Sequence, residues 1–590
     1  MGLAISKVVR QGWFADLVVR KLLLANVLPA ALLALIGRSG ARRGAKQSLL
    51  SKLSHALALL LVGGCTPLWV GFLRMIGQMG RNHNAMPSLG DENVGEALLA
   101  NATRLNEWLC ETSAGMGPDG TTWALGPAVV VTSPACVKHI LKDNFANYEK
   151  GAGFTYPAGD LLGSGIFNSD GPRWQEQRRI ALKIFTRRNF STWMMDVFKA
   201  NATKVVALLE AQPAGQMLDM QSVYYKFTLD SIGAIGFGTE LGCLDAGLST
   251  PVPFAAAFDE AQAHILLRML TPFWSMVPEF TQRVGKYALP GEAQFRKAVA
   301  VVRDFGAAVV AERRTELAAS GGAHARNDLL SSFMTMEGGE HFTDDYLVDI
   351  VLNFVIAGRD TTAATLTWAT FRLATHPREA AAVVEEVDRV LRGAAPDYKS
   401  VTTMMPLTKA FLSETLRLHP PVPKDLKTSV KRDTLPDGTK VPGGAKVLYV
   451  PYTMGRSRAI WGDDALDFVP ARWLPPRMAK KEQPDAYTFP VFQGGARTCL
   501  GKNMAYFEAA TLLAVLLQRF AFELPPGSKA GRPAESLTMP MKGGLNIHVR
   551  PRDDPVPLTN LTHSSGAPPA AGAAAAAEAS KCPFHDTSKL

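Results

Sequence analysis

From about residue 95 to about residue 550, apolar positions recur three and four apart, the spacing of helices with one buried face. The clearest case is Thr343–His376, which predicts one long helix. It opens on Thr343, a capping residue, followed by Asp344 and Asp345, which suit the positive helix end, and it stops before Pro377. A second helix, apolar nearly throughout, is predicted over Met504–Phe520. Strand-like patterning appears near Thr122–Thr132 and Leu435–Val450, the latter around the turn Pro436-Asp437-Gly438. No internal repeat and no Pro/Gly-rich linker interrupts this stretch. The prediction is one large domain over 91–550, mainly α with a small β part.

The two ends read differently. Residues 1–90 hold eleven Lys or Arg against a single acid, Asp16, so this leader carries the whole formal excess of +10. The remainder is balanced and has no basic stripe for phosphates, which argues against a nucleic-acid partner. Two apolar stretches lie in the leader, Leu22–Gly37 and Ala56–Leu73. As a helix the second would reach about 27 Å, marginally enough to cross a bilayer with basic flanks. A membrane anchor and a cleaved targeting peptide both fit. Residues 551–590 turn low-complexity and read as a flexible tail. They contain a Cys582-Pro583 dipeptide and finish on Ser588-Lys589-Leu590, the form of a peroxisomal address.

Composition adds exclusions. With 47% hydrophobic and 20% charged residues the chain has ordinary globular usage, neither disordered nor polytopic in a membrane. Its 6 cysteines are scattered without close pairs, which fits a reducing compartment and leaves any special cysteine to act singly. Cys499 is the candidate. It sits in Phe492-Gln-Gly-Gly-Ala-Arg-Thr-Cys-Leu-Gly501, whose glycines at 494, 495 and 501 permit a tight turn ahead of the predicted helix. A helix amino terminus and Arg497 nearby would both favour thiolate, the form needed by an axial haem ligand. On the residues alone, a buried inert cysteine stays open.

Phe492, Gly495, Arg497, Cys499 and Gly501 match F-x-x-G-x-R-x-C-x-G, and here the chain resembles the cytochromes P450, the haem-thiolate monooxygenases. The resemblance implies that family's fold, with haem b between a long central helix and a cysteine-ligand loop. It makes Cys499 the iron ligand, sets Phe492 near the sulfur and pairs Arg497 with a haem propionate. Trp174 and Arg178 match W-x-x-x-R, whose side chains also reach a propionate. Glu414 and Arg417 match E-x-x-R, three apart on one helical face. Arg472, in Phe468-Val-Pro-Ala-Arg-Trp473, would complete a buried structural network with them, although Ala471 departs from the glutamate often found there.

Midway along the long predicted helix, Ala357-Gly-Arg-Asp-Thr-Thr362 matches the family's oxygen-binding signature. Small Ala357 and Gly358 would leave room over a flat cofactor. Reductive splitting of dioxygen consumes two protons, and Asp360 with Thr361 would deliver them from solvent. Mid-helix Asp and Thr can instead bond to backbone carbonyls.

Further segments resemble the plant and fungal fatty-acid ω-hydroxylase branch: Gly159-Asp-Leu-Leu-Gly163, Gly165-Ile-Phe-Asn168, Leu435-Pro-Asp-Gly438, Tyr452-Thr-Met-Gly-Arg456 and Ile460-Trp-Gly-Asp-Asp-Ala465. They imply a long-chain fatty acid or related acyl lipid, hydroxylated at or near the ω end with O2. Electrons are expected to come from NADPH through a separate reductase, since no stretch of the sequence reads as a flavin domain. Hydroxylation of another apolar lipid, a sterol or carotenoid, is the alternative, and a haem-thiolate sensor is a third reading. Phe354, Ala357 and Val422 are candidate substrate contacts, with Lys424 or Lys542 as a cation for a carboxylate. The expected location is a membrane surface, the endoplasmic reticulum, with the peroxisome or plastid as alternatives.

Overall fold

The computed structural model describes residues 97, 100–116, 122–125, 128–270, 291–319, 328–335, 342–475, 484–528 and 531–554. The leader with both apolar stretches, the Cys582-Pro583 dipeptide and the terminal Ser588-Lys589-Leu590 lie outside these residues. Among the described residues no helix is long and apolar enough to cross a membrane.

The helices that frame the site are α1 (Leu105–Gly115), α2 (Ala152–Leu162), α3 (Gly171–Ala181), α4 (Met220–Phe237), α5 (Pro253–Leu270), α6 (Glu292–Ala319), α7 (Asp344–Thr375), α8 (Pro406–Leu418) and α9 (Lys502–Leu517). The longest predicted helix is observed as α7. Thr343 caps it, its hydroxyl accepting from the Tyr346 N–H at 3.3 Å, and Pro377 begins the next helix. Helices apolar all round belong in a core. α7 and α9 both do, buried along most of their length. α9 ends at Leu517, not Phe520, because Phe520 starts a strand that pairs with the strand containing Pro551.

Between α7 and α4 the approach is close enough to exclude a side chain. A Cβ on Gly358 would lie 2.6 Å from Ile232 Cγ1. Gly358 is thus required by helix–helix contact, and it also borders the cavity described below. Further along the same interface, the Tyr224 and Thr370 hydroxyls meet at 2.6 Å.

The described β part is two small sheets and a two-stranded hairpin, Asp433–Thr434 with Lys440–Val441, around the predicted turn. Strands β1 (Trp123–Leu125), β2 (Ala128–Val131), β3 (Tyr148–Glu149), β5 (Asp425–Ser429) and β6 (Lys446–Tyr449) form one, in the order β1-β2-β6-β5-β3. Only β2 and β6 pair in parallel. The second sheet joins β4 (Met217–Asp219), β8 (Asn546–Pro551) and β7 (Phe520–Glu523) in the order β4-β8-β7. Side chains alternate across a strand, so the larger sheet has two faces. Val129, Val131, Val447 and Tyr449 join an apolar cluster of their own, while Ala128, Leu426 and Leu448 face a large cavity.

β5 was not foreseen, because Asp-Leu-Lys-Thr-Ser reads as a polar loop. Its charges are buried in pairs: Asp425 accepts from Lys150 at 2.9 Å, Lys427 at 3.2 Å and the Tyr449 hydroxyl at 2.9 Å. The packed structure continues past residue 551. Arg552 pairs with Asp388 at 2.8 Å and donates to the Leu517 carbonyl at 2.9 Å, which fixes the chain just past β8.

Glu414 and Arg417, both fully buried on α8, form a two-pronged pair at 2.7 and 2.8 Å. Arg417 also donates to the carbonyls of Gly455, Ala465 and Asp467. Arg472 reaches Glu414 at 3.5 Å and is held by the Trp461 and Asp464 carbonyls, each at 3.0 Å. Removing one partner of a buried pair strands the other charge, a loss of about 3–5 kcal/mol. Arg417→Ala should therefore lower the denaturation midpoint sharply, and Arg472→Ala by less. An Arg417→Ala midpoint equal to that of the unmodified protein would contradict this.

Candidate active site

A cavity of about 560 Å³ lies between α7 and the loop that carries Cys499. Its wall is largely apolar, built by α1, α2, α5, α7 and the larger sheet, with Cys499 in its floor. The loop leading to Cys499 is held in an uncommon backbone shape. Gln493 adopts φ +61°, a region that costs a non-glycine residue about 1–3 kcal/mol, and its side-chain amide is tied to Asp425. Gly495 also has φ +61°, and a Cβ there would lie 2.0 Å from the Leu141 carbonyl oxygen. Gly494 and Gly501 have ordinary negative φ. Gly494 is needed for room instead, since its Cβ would meet the Tyr487 ring at 2.6 Å.

Cys499 donates its backbone N–H to the Phe492 carbonyl at 2.8 Å and sits three residues before the start of α9. Its exposure is to the cavity it lines, deep within the protein. Burial there raises the thiol, opposed by the Gly501 N–H and by the charges of Arg178 and Lys502. The cations that act on the sulfur are thus Arg178 and Lys502, where the sequence suggests Arg497. Phe492 lines the cavity and packs its ring on Tyr506, centroids 5.5 Å apart.

Trp174, Arg178 and Arg497 come together at one edge. The Arg497 guanidinium lies 4.4 Å from the Trp174 ring centroid and that of Arg178 lies 5.9 Å from it. Arg497 is paired with Asp170 and donates to the Ser169 carbonyl at 3.2 Å, yet its buried Nε has no acceptor among the described residues. Nor does Arg178 have an acidic partner there.

On α7, Phe354, Ala357 and Thr361 line the cavity, as does Val422 after α8. The Thr361 hydroxyl donates to the Ala357 carbonyl at 2.8 Å, so its lone pairs, not its proton, are free. Asp360 departs from expectation, since it does not border the cavity. It is buried behind α7, accepting from Gln262 of α5 at 2.7 Å and from Arg359 at 2.8 Å. Arg359 in turn pairs with the half-exposed Asp259 at 2.7 Å. Burial pushes the Asp360 carboxyl up to about 6, against the pull of Arg359. A residue facing one side of a helix cannot also face the other, and Thr361, one position on, takes the cavity side.

Of the two candidate cations, Lys542 is exposed and away from the cavity. Lys424 does line it, but its charge is already met by Glu535 at 3.1 Å and by the Asn106 side-chain oxygen at 2.9 Å. Above the cavity, α5 is pinned by Arg268, which pairs with Glu292 of α6 at 2.6 Å and Asp160 of α2 at 2.8 Å.

Glu508 is the one acid of apolar α9, and no sequence motif singles it out. It is fully buried, and neither oxygen has a hydrogen-bond partner of good geometry, although the Ser231 and Thr362 hydroxyls lie near enough to lower its pKa. Burial nevertheless pushes it up to about 8 from 4.5, so it is neutral near neutral pH.

A family model described as Cytochrome P450 matches residues 115–546. Cytochrome P450 704C1 of Pinus taeda is 38% identical over 72% of this chain and 85% of its own length. Cytochrome P450 94A1 of Vicia sativa is 35% identical over 77% of this chain and 88% of its own. A fungal relative, Cytochrome P450 monooxygenase cyp1 of Mycosarcoma maydis, is 33% identical over 73% of this chain and 70% of its own.

The raised pKa of Glu508 makes a pH prediction. A carboxyl whose folded pKa exceeds its unfolded value contributes stability that is complete below about pH 4.5 and is lost as pH rises through about 8. The melting temperature of Glu508→Gln, relative to the unmodified protein, should therefore climb between about pH 5 and about pH 8. A constant difference across that range would show that Glu508 is not buried as a neutral acid.

Proposed function

The chain belongs to the cytochrome P450 family, and from that premise we propose that it hydroxylates a long-chain fatty acid or related acyl lipid at or near the ω end. As a member it is a monooxygenase that works with a thiolate-ligated haem, O2 and electrons from NADPH passed on by a reductase partner. The observation that carries the narrower reading is the apolar cavity running from the Cys499 loop along the sheet. The segments resembling the ω-hydroxylase branch add to it. On the leader's apolar, basic pattern we propose a membrane surface as the place of work.

The residues at the floor of the cavity suit a haem. Cys499 offers a sulfur toward the cavity, and Arg178 with the open Nε of Arg497 offers donors for acidic groups at one edge. We assign Cys499 as iron ligand, Trp174, Arg178 and Arg497 as holders of the propionates, and Phe492 as a wall beside the sulfur. Bound there, the haem supplies the activation of oxygen and the one-electron steps.

The chain supplies position and protons. Overall one oxygen atom enters a C–H bond, and the other leaves as water after two electrons and two protons arrive. Thr361 Oγ1, on the cavity side, is the group we assign to hand a proton inward. It must first turn its hydroxyl from the Ala357 carbonyl. Asp360, with its carboxyl raised to about 6, loads and unloads protons behind α7, near Asp259 and solvent.

Burying a dozen methylenes offers roughly 10 kcal/mol gross, much of it offset by association and ordering. A terminal methyl C–H is stronger than an internal one, so attack at the chain end requires that only the end be presented. Phe354, Ala357 and Val422 are the wall we assign to that restriction.

Mass spectrometry of products formed from mixed long-chain fatty acids, with a reductase and NADPH, tests the reading. Terminal hydroxy acids are expected. In-chain products would remove the ω assignment, and no product from any acid would remove the fatty-acid reading. Thr361→Ala should keep consuming NADPH while forming less product per NADPH, and unchanged coupling would sink the proton role.

A further inference from the structure

Among the described residues the cavity is lined by five cations: Lys150, Arg178, Lys424, Lys446 and Arg497. Three are answered by acids. Lys150 pairs with Asp425 at 2.9 Å, Lys424 with Glu535 at 3.1 Å, and Arg497 with Asp170. Arg178 stands beside Trp174 at the edge assigned to haem. Lys446 remains, and no acid or hydrogen-bond acceptor meets it among the described residues.

Its position is built. Lys446 lies in β6 on the same face as Leu448, opposite Thr428 of β5 and Ala128 of β2. Its chain runs over the start of α2, where a Cβ on Gly153 would lie 2.6 Å from Lys446 Cε, so the glycine leaves the space the lysine occupies. At the other end of the strand, Tyr449 is paired with Asp425, and Asp425 holds Gln493 of the cysteine loop. Three residue steps along the strand separate the two, so Lys446 stands about 10 Å further from that loop.

We propose that Lys446 is the counter-ion for the carboxylate of the substrate, which makes the site one for a free acid and not for an ester. This rests on the lipid reading above. A lone ammonium against an apolar wall gains most from a partner that brings its own charge, because little water competes. Burial pulls Lys446 down to about 8, so it is still mainly protonated at neutral pH. A carboxylate paired there leaves its alkyl chain to run along Leu448 and Leu426 toward Cys499, with the far end leading.

The test uses the haem-loaded full chain with hexadecanoic acid and its methyl ester as probes, comparing dissociation constants from the absorbance change on binding. The unmodified protein should bind the acid at least about tenfold more tightly than the ester. Lys446→Met should weaken acid binding by about tenfold and leave ester binding unchanged, and Lys446→Arg should restore the preference. Equal affinity for acid and ester in the unmodified protein, or an unaltered acid affinity in Lys446→Met, would overturn the anchor and leave the lipid reading standing. Loss of haem from Lys446→Met would assign the lysine to the cofactor and also overturn it. Failure of the unmodified protein to bind either probe would overturn the lipid reading and the anchor together.

Discussion

Glu414 and Arg417 are both wholly buried, joined by two hydrogen bonds of 2.7 and 2.8 Å, and the floor of the cavity is arranged around them. Taking two charges out of water is expensive, and the cost is offset only where every remaining donor and acceptor finds a partner. Here they do. Arg417 takes three backbone carbonyls from the segment 455–467, and Glu414 accepts from the Val469 N–H at 2.8 Å and the Trp473 indole at 2.9 Å. That segment cannot shift without baring a charge. Trp473 then packs on Phe489, centroids 4.9 Å apart, directly before the loop that carries Cys499. The pair never touches the cavity, yet it sets where the cysteine stands.

The cavity itself is governed by one imbalance. Its walls are apolar, and several charged groups around it are buried in matched sets, such as Asp425 with Lys150 and Lys427, and Lys424 with Glu535. In a poorly hydrated space, an unmatched charge is a strong selector of ligands, whereas a matched one is inert. That distinction separates Lys424 from Lys446, which the sequence alone does not do. On the opposite wall, α7 divides its work by face. Thr361 meets the cavity, and Asp360 meets α5 through Gln262.

Features with a strong local cause were legible in the sequence. The cap at Thr343 and the stop at Pro377 bounded α7, because both act within one helical turn. The spacing of Glu414 and Arg417 put them on one face, and burial then forced them together. Features set by distant neighbours were not legible. β5 looks like a loop until Lys150, hundreds of residues earlier, neutralises Asp425. Gly358 is small because of Ile232 on another helix, and Glu508 is neutral because its surroundings are apolar. Asp360 lies on α7, where its motif puts it, but turned away from the cavity. Its direction depended on Gln262, which no motif includes.

The central claim is that the sulfur of Cys499, fixed at the floor of this cavity, is the ligand of haem iron. The carbon monoxide difference spectrum of the reduced protein tests it most directly, recorded for the unmodified chain and for Cys499→Ser. The account predicts a thiolate-type band from the unmodified protein and none from the variant. A thiolate-type band retained in Cys499→Ser would contradict it.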